Sequence, residues 1–284
     1  AGLQIELFTR SALLSARLNS FFLDYIIADF GSNRAGPHGQ IFLEPLYANS
    51  TFEPLWESTD AEYAFSGDFV FQRDFIAKTV RPGLAYAFVA PELDDAFHNL
   101  LRWFIPNIAL EENRFLLHGA GVICEGSGFV FFGQSGAGKS TSVQLITEAD
   151  SRASAIGDDA VIVECRGDAL FLHSAPIGAG YSREAPPRRT VPIAGLFSIQ
   201  QDTANFIETL PASEAAATLL ASVMQPQTTN EALLAKLSLA ERFVRATPQI
   251  ARLHFTRDAD FWLMILNSRK KNVQRQSRQK EIEV

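Results

Sequence analysis

The residues with the clearest chemical meaning are Gly133-Gln134-Ser135-Gly136-Ala137-Gly138-Lys139-Ser140, directly after the apolar run Phe129-Val130-Phe131-Phe132. The order strand, glycine-rich loop, helix fits the phosphate-cradling pattern G-x-x-x-x-G-K-[ST] at every fixed position. Glycine at 133, 136 and 138 lets the backbone enter positive φ without steric cost and turn its N–H groups toward an anion. Lys139 then sets a compact positive charge against the β- and γ-phosphates, and the Ser140 hydroxyl suits Mg2+. A helix predicted from Lys139 to about Thr147 points its positive end at the same phosphates. The expected contacts of a nucleoside triphosphate are therefore Gly133, Gln134, Ser135, Gly136, Ala137, Gly138, Lys139, Ser140 and Thr141, with ATP and Mg2+ as the cofactors.

Phosphoryl transfer also needs a carboxylate for the metal and a group that orients or deprotonates the acceptor. Asp158-Asp159 can supply both, which makes Ser140, Asp158 and Asp159 the candidate metal set. The pair departs from an ordinary Walker B aspartate, which closes an apolar run. Here Asp158 follows Ala155-Ile156-Gly157 and precedes Ala160-Val161-Ile162-Val163. In a regular strand the two side chains would face opposite ways, so a turn at Gly157 is expected to bring both to the site. His118 completes the candidate catalytic set of Asp158, Asp159, His118 and Lys139. It opens the segment before the loop, flanked by small residues that let a ligand come close, and imidazole moves protons near neutral pH. By spacing alone, a lone histidine is more often a structural residue.

These residues need elements to hold them. Residues 1–90 read as a mixed α/β layer or small domain. Leu3, Ile5 and Leu7 alternate as in a half-buried strand, and Leu13, Leu14, Leu18, Phe21, Phe22, Tyr25 and Ile26 recur at helical spacing. Short alternating stretches between Ile41 and Val89 predict a small antiparallel sheet, and His38, on the turn-rich segment Gly31 to Gln40, reads as a solvated loop histidine. Residues 91–268 read as the domain that carries the site. It starts with a helix through Leu93, Phe97, Leu100, Leu101 and Phe104, opened by Glu92, Asp94 and Asp95 and ended or kinked by Pro106.

A hairpin about Glu125-Gly126-Ser127-Gly128 should feed the loop, and Arg166-Gly167-Asp168 should turn a second one. Between Ala175 and Pro192 no period is visible. Arg183, Arg188 and Arg189 on that loop are suited to gripping phosphate or an acidic acceptor, or simply to solvent. A strand over Ile193 to Ile199, a helix capped by Ser213 and running to Met224, a helix from Asn230 to Ala246, a strand near Leu253 to Phe255 and a helix from Ala259 to Asn267 complete the reading. Residues 269–284 read as a basic flexible tail. The fold class expected is α/β with a mixed α+β sheet.

Composition narrows the function classes. The 284 residues can bury a substantial core, and 23 phenylalanines predict aromatic packing within it. A net charge of -7 argues against nucleic acid as a partner. Cys124 and Cys165 lie among apolar residues, so buried free thiols in a reducing compartment are expected. No apolar run reaches the roughly 18–20 residues of a membrane span, and no basic-then-apolar signal region follows Ala1. The expectations are a cytoplasmic location, no membrane partner and a possible homo-oligomer.

Together, His118-Gly-Ala-Gly-Val, Gly133 to Ser140 and Asp158-Asp159 resemble the HPr kinase/phosphorylase-related family of the HPr kinase / phosphoenolpyruvate carboxykinase-like P-loop superfamily. The resemblance covers roughly residues 90–267, and its specific part runs from His118 to Val163. It implies that superfamily's nucleotide domain, ATP on the loop, and a protein serine hydroxyl as acceptor. It also implies an active site of His118, Lys139, Ser140, Asp158 and Asp159, with one aspartate as base and the other helping the metal. The Glu-Ile-Arg-Gly-Leu-Gly type segment that follows the aspartates in HPr kinases is absent, and His173-Ser174-Ala175-Pro176-Ile177-Gly178 stands in its place. The chain thus looks closer to divergent HPr-kinase-related proteins, some of which are associated with modified-peptide pathways and act on peptide serines. The activity implied is an HPr-kinase-related phosphotransferase: an ATP- and Mg-dependent kinase for a serine-type hydroxyl of a peptide, protein or small metabolite. The alternative is a nucleotide-binding regulatory or scaffold protein of the same fold without transfer activity.

Overall fold

The computed structural model describes residues 3–22, 37–46, 63–91, 95–175, 177, 189–225, 229–246 and 248–268. Tyr25, Ile26, Glu92, Asp94, Arg183, Arg188 and the basic tail lie outside the described residues. The chain divides into two units, Ala1–Leu116 with Met224–Ala232, and Leu117–Val223 with Leu233–Val284.

In the first unit the elements are β1 (Ile5–Thr9), α1 (Ala12–Phe21), β2 (Gly39–Pro45), β3 (Ala64–Ser66), β4 (Phe69–Gln72), β5 (Phe75–Arg81), β6 (Leu84–Val89) and α2 (Ala96–Glu111). The strands form one sheet in the order β1-β2-β6-β5-β4-β3. It is mixed, not the antiparallel sheet expected: β1 pairs β2 and β2 pairs β6 in parallel, while β6, β5, β4 and β3 pair antiparallel. Alternation decides which face is covered. Ile41, Leu43, Ala85, Ala87 and Val89 are buried, and α2 packs on β5 and β6 with Phe97, Leu100, Trp103 and Phe104.

Of the two outcomes expected at Pro106, an end to the helix does not occur: α2 continues to Glu111. An interior proline costs about 3 kcal/mol, and burial of Ile105, Ile108 and Ala109 around it offsets that loss. His38 does lie on the bend before β2, as expected, but it is half-buried and not fully solvated. Its Nδ1 accepts the Gln4 N–H at 3.0 Å and its Nε2 stands 3.7 Å from Glu112.

After β7 (Arg114–Leu117) come β8 (Gly119–Cys124), β9 (Ser127–Phe132), α3 (Lys139–Ala149), β10 (Ala153–Gly157), β11 (Val161–Arg166), β12 (Ala169–His173), β13 (Thr190–Gln201), β14 (Phe206–Thr209), α4 (Ala212–Ser222), α5 (Asn230–Arg245) and β15 (Ile250–Phe255). A last helix, α6, covers residues 260–268. In the second unit the strand order is β10-β8-β9-β13-β12-β11, with β15 also alongside β13 and β14 outside it. β9, β13 and β15 are parallel; on the other side of β9, β8 runs antiparallel to it and β10 antiparallel to β8, so β10 points the same way as β9.

Both predicted hairpins form, β8–β9 and β11–β12. Ser213 is not the cap of α4: the N-cap is Pro211, which makes no side-chain cap bond and whose φ of -57° already suits a helix start.

The core of this unit lies between the sheet and α3 and α6. Phe129, Phe131, Val143, Ile146, Leu253, Phe255, Phe261 and Trp262 make one buried cluster. Its aromatic rings meet edge-on, as in Phe129–Trp262 at 4.8 Å and Phe255–Phe261 at 5.4 Å. Each such ring contributes about 1.5–3 kcal/mol by burial, which clamps the ends of β9 and β15 in place. Cys124 and Cys165 are buried and not joined in a disulfide. Among the described residues no helix is long and apolar enough to cross a membrane.

Candidate active site

Strand register brings three separate stretches to one edge of the sheet. Gly119 pairs with Phe132, so the start of β8 lies beside the end of β9, where the glycine loop begins. Gly157 pairs with Gly121, which delivers the end of β10, and Asp158-Asp159 after it, to the same edge. His118 is fixed there through its backbone, whose N–H donates to the Ser222 carbonyl at 2.7 Å at the end of α4. The small residues after His118 also serve packing. A Cβ at Gly121 would stand 2.7 Å from Ile156 Cγ2, so glycine there is what lets β8 and β10 approach.

The loop after β9 has positive φ at Gly133, Gly136 and Gly138 (148°, 78° and 102°). Gly138 is also the N-cap of α3, and no side chain caps that helix start. Its first N–H groups are thus left for an anion or water. By contrast, α1 closes its start with Ser11, whose hydroxyl accepts the Leu14 N–H. Lys139 is buried, and its ammonium donates to the Gly133 and Gln134 carbonyls at 3.0 and 2.9 Å. Burial holds its pKa below the ordinary lysine value, and the negative charges of Asp159 and Asp158 act in the opposite direction.

The two aspartates do not behave as neighbours in a strand. β10 stops at Gly157, and Asp159 takes the left-handed conformation, φ 71°, which few non-glycine residues adopt. The kink separates their partners. Asp158 Oδ1 accepts the Ser140 hydroxyl at 2.7 Å. Asp159 faces His118, whose Nδ1 lies 3.0 Å from both its Oδ1 and its backbone carbonyl. Since a carbonyl can only accept, Nδ1 is assigned the proton. His118, Lys139, Ser140, Asp158 and Asp159 are therefore assembled, while Ser135, Gly136 and Thr141 lie exposed along the loop and first helical turn.

A hydroxyl paired with a carboxylate beside a buried ammonium is a donor set for a hard cation and anionic oxygens. No group of three or more His, Cys, Asp or Glu side chains among the described residues could hold a metal by itself. A cation here would need further oxygens from a ligand or water.

Sequence spacing missed two parts of the surroundings. Gln201, at the end of β13, donates to the Gly136 carbonyl at 3.3 Å, and Arg257, after β15, donates to Gln201 at 3.3 Å. A second cluster joins β11, β12 and β13: buried Glu164 and His173, with the exposed Arg166 and the half-buried Thr190 bonded to them. Of the loop arginines, Arg189 is described. Its backbone carbonyl accepts the Ser174 N–H at 3.1 Å.

The family described as SynChlorMet cassette protein ScmC matches residues 101–257, more than half of the chain. Among solved structures, the Hpr(Ser) kinase/phosphatase from Coxiella burnetii is similar at 9% identity, over 57% of this chain and 98% of that one, with a TM-score of 0.28. A superposition that loose carries no argument. No curated protein matches this chain in sequence.

Proposed function

The chain belongs to the family described as SynChlorMet cassette protein ScmC, and we propose that it is an ATP- and Mg-dependent kinase acting on a serine-type hydroxyl of a peptide, protein or small metabolite. One observation carries the proposal: the kink at Asp159 sends Asp158 to Ser140 and Asp159 to His118, with both charges acting on Lys139. That division matches the two separate tasks of phosphoryl transfer, holding a metal and accepting a proton.

Mg-ATP, when bound, supplies the γ-phosphoryl group and its charge-compensating cation. Lys139 exchanges its two loop carbonyls for phosphate oxygens, and the uncapped start of α3 adds backbone N–H donors. Ser140 and Asp158 would hold the cation. Asp159, oriented by the His118 Nδ1–H, takes the proton of the acceptor hydroxyl as its oxygen bonds to the γ-phosphorus. The bond between that phosphorus and the bridging oxygen breaks, and ADP departs with the electron pair. His118 is a positioning residue in this scheme, since it acts through Asp159.

The test is transfer from γ-labelled ATP and Mg2+ in the presence of a cell extract. Label should appear on an acceptor with the wild-type chain and not with Asp159→Asn. An absence of labelled acceptor in every fraction, with ATP bound tightly, would sink the kinase reading.

A further inference from the structure

The glycine loop has an outer wall. β13 and β15 run parallel with Gln201 opposite Phe255, so their ends flank the loop that follows β9. The Phe255 ring backs Gly138, where an added Cβ would stand 2.7 Å from the ring carbon Cζ. The exposed Gln201 side chain reaches the crest of the loop: its Nε2 donates to the Gly136 carbonyl at 3.3 Å, and its Oε1 accepts from Arg257 Nη2 at 3.3 Å.

A trans peptide points its C=O and N–H in opposite directions. Holding the Gly136 carbonyl toward Gln201 therefore turns the N–H of Ala137 away from that wall, and this N–H donates to the Gln134 carbonyl at 3.2 Å within the loop. A phosphate oxygen can replace that carbonyl as acceptor. We infer that Gln201, steadied by Arg257, is a positioning residue that presets the Gly136–Ala137 peptide for a polyphosphate chain. It sets affinity for the phosphates and not for base or sugar. The inference rests on the nucleotide reading above.

Gln201→Glu gives a sharp test, because a carboxylate keeps the side chain's length and binds Arg257 more strongly but cannot donate to Gly136. Binding of Mg-ATP and of inorganic tripolyphosphate is measured for the full chain, with Lys139→Ala as the control that should lose both. Gln201→Glu and Gln201→Ala should each weaken both ligands by the same factor, about tenfold, the worth of one hydrogen bond to an anion-binding backbone. Thermal stability should stay at the wild-type value. Wild-type affinity in Gln201→Glu would overturn the inference and reduce Gln201 to a partner of Arg257. A loss for ATP without a loss for tripolyphosphate would also overturn it. If the wild-type chain binds neither ligand, the nucleotide reading itself falls, an outcome distinguishable from the other two.

Discussion

Two histidine–carboxylate pairs in the same unit have opposite surroundings. His118 and Asp159 lie 3.0 Å apart with side chains 33% and 21% exposed, and His173 and Glu164 lie 2.6 Å apart at 2% and 9%. Protein groups engage the second pair on every side shown. Arg166 donates to both oxygens of Glu164 while resting on the Phe171 ring, and the Thr190 hydroxyl meets His173 Nδ1 at 3.0 Å. The first pair instead hangs on a left-handed residue beside a buried lysine and an uncapped helix start. The same two functional groups can thus stabilise a sheet or be held in readiness for a reactant. Access and neighbouring charge separate the two cases.

The comparison breaks most readily at Asp159. Asp159→Asn keeps shape and loses the base, so label transfer should fall by about 10²–10⁴, while the unfolding midpoint stays near wild type. His118→Asn removes the group that aims the carboxylate. Transfer should fall roughly 10- to 100-fold, the worth of one hydrogen bond to a charged group, with ATP affinity retained. A fall in affinity equal to the fall in rate would mean that His118 shapes the loop instead. At the closed pair the expectation reverses. Glu164→Gln should cost about 1–3 kcal/mol in urea unfolding, because His173 and Arg166 lose their charged partner, yet transfer per folded molecule should be unchanged.

The motif made one pair visible in the sequence and left the other hidden. Lys139, Ser140 and the aspartates are recognisable because a phosphate cradle fixes their local spacing. His118 stood out only through its place before that loop. Glu164 and His173 meet because Ile162 pairs with His173, which sets Glu164 diagonally across from it, and that register depends on the turn at Arg166-Gly167-Asp168. Gln201 and Arg257 are likewise brought to the loop by parallel pairing of distant strands. β10 was not expected as a strand, since Ala153-Ser154-Ala155-Ile156-Gly157 has neither alternation nor bulk, and its pairing with β8 decides it. At Pro106 the sequence left an end or a kink open, and the helix does not end there because a buried helix face outweighs the local penalty.

A third carboxylate sharpens the contrast by the smallest margin. Asp150 is held well below the usual carboxylate range, first by Arg152, which grips both its oxygens, and then by the Trp262 indole N–H at 3.0 Å. Its folded pKa is depressed, so its stabilisation is complete above the unfolded value of about 3.9 and is lost as pH falls through the folded value. The difference in unfolding midpoint between wild type and Asp150→Asn should therefore be constant near neutral pH and shrink only below that value. A difference that grew on acidification would contradict the sign.

The central claim is that the kink at Asp159 divides the acidic pair into a metal-holding Asp158 and a proton-accepting Asp159. ATP binding measured calorimetrically with and without Mg2+ tests it without knowledge of the acceptor. Asp158→Asn should lose most of the Mg2+-dependent gain in affinity, and Asp159→Asn should keep it. Equal loss in both variants, or loss in Asp159→Asn alone, would contradict the division.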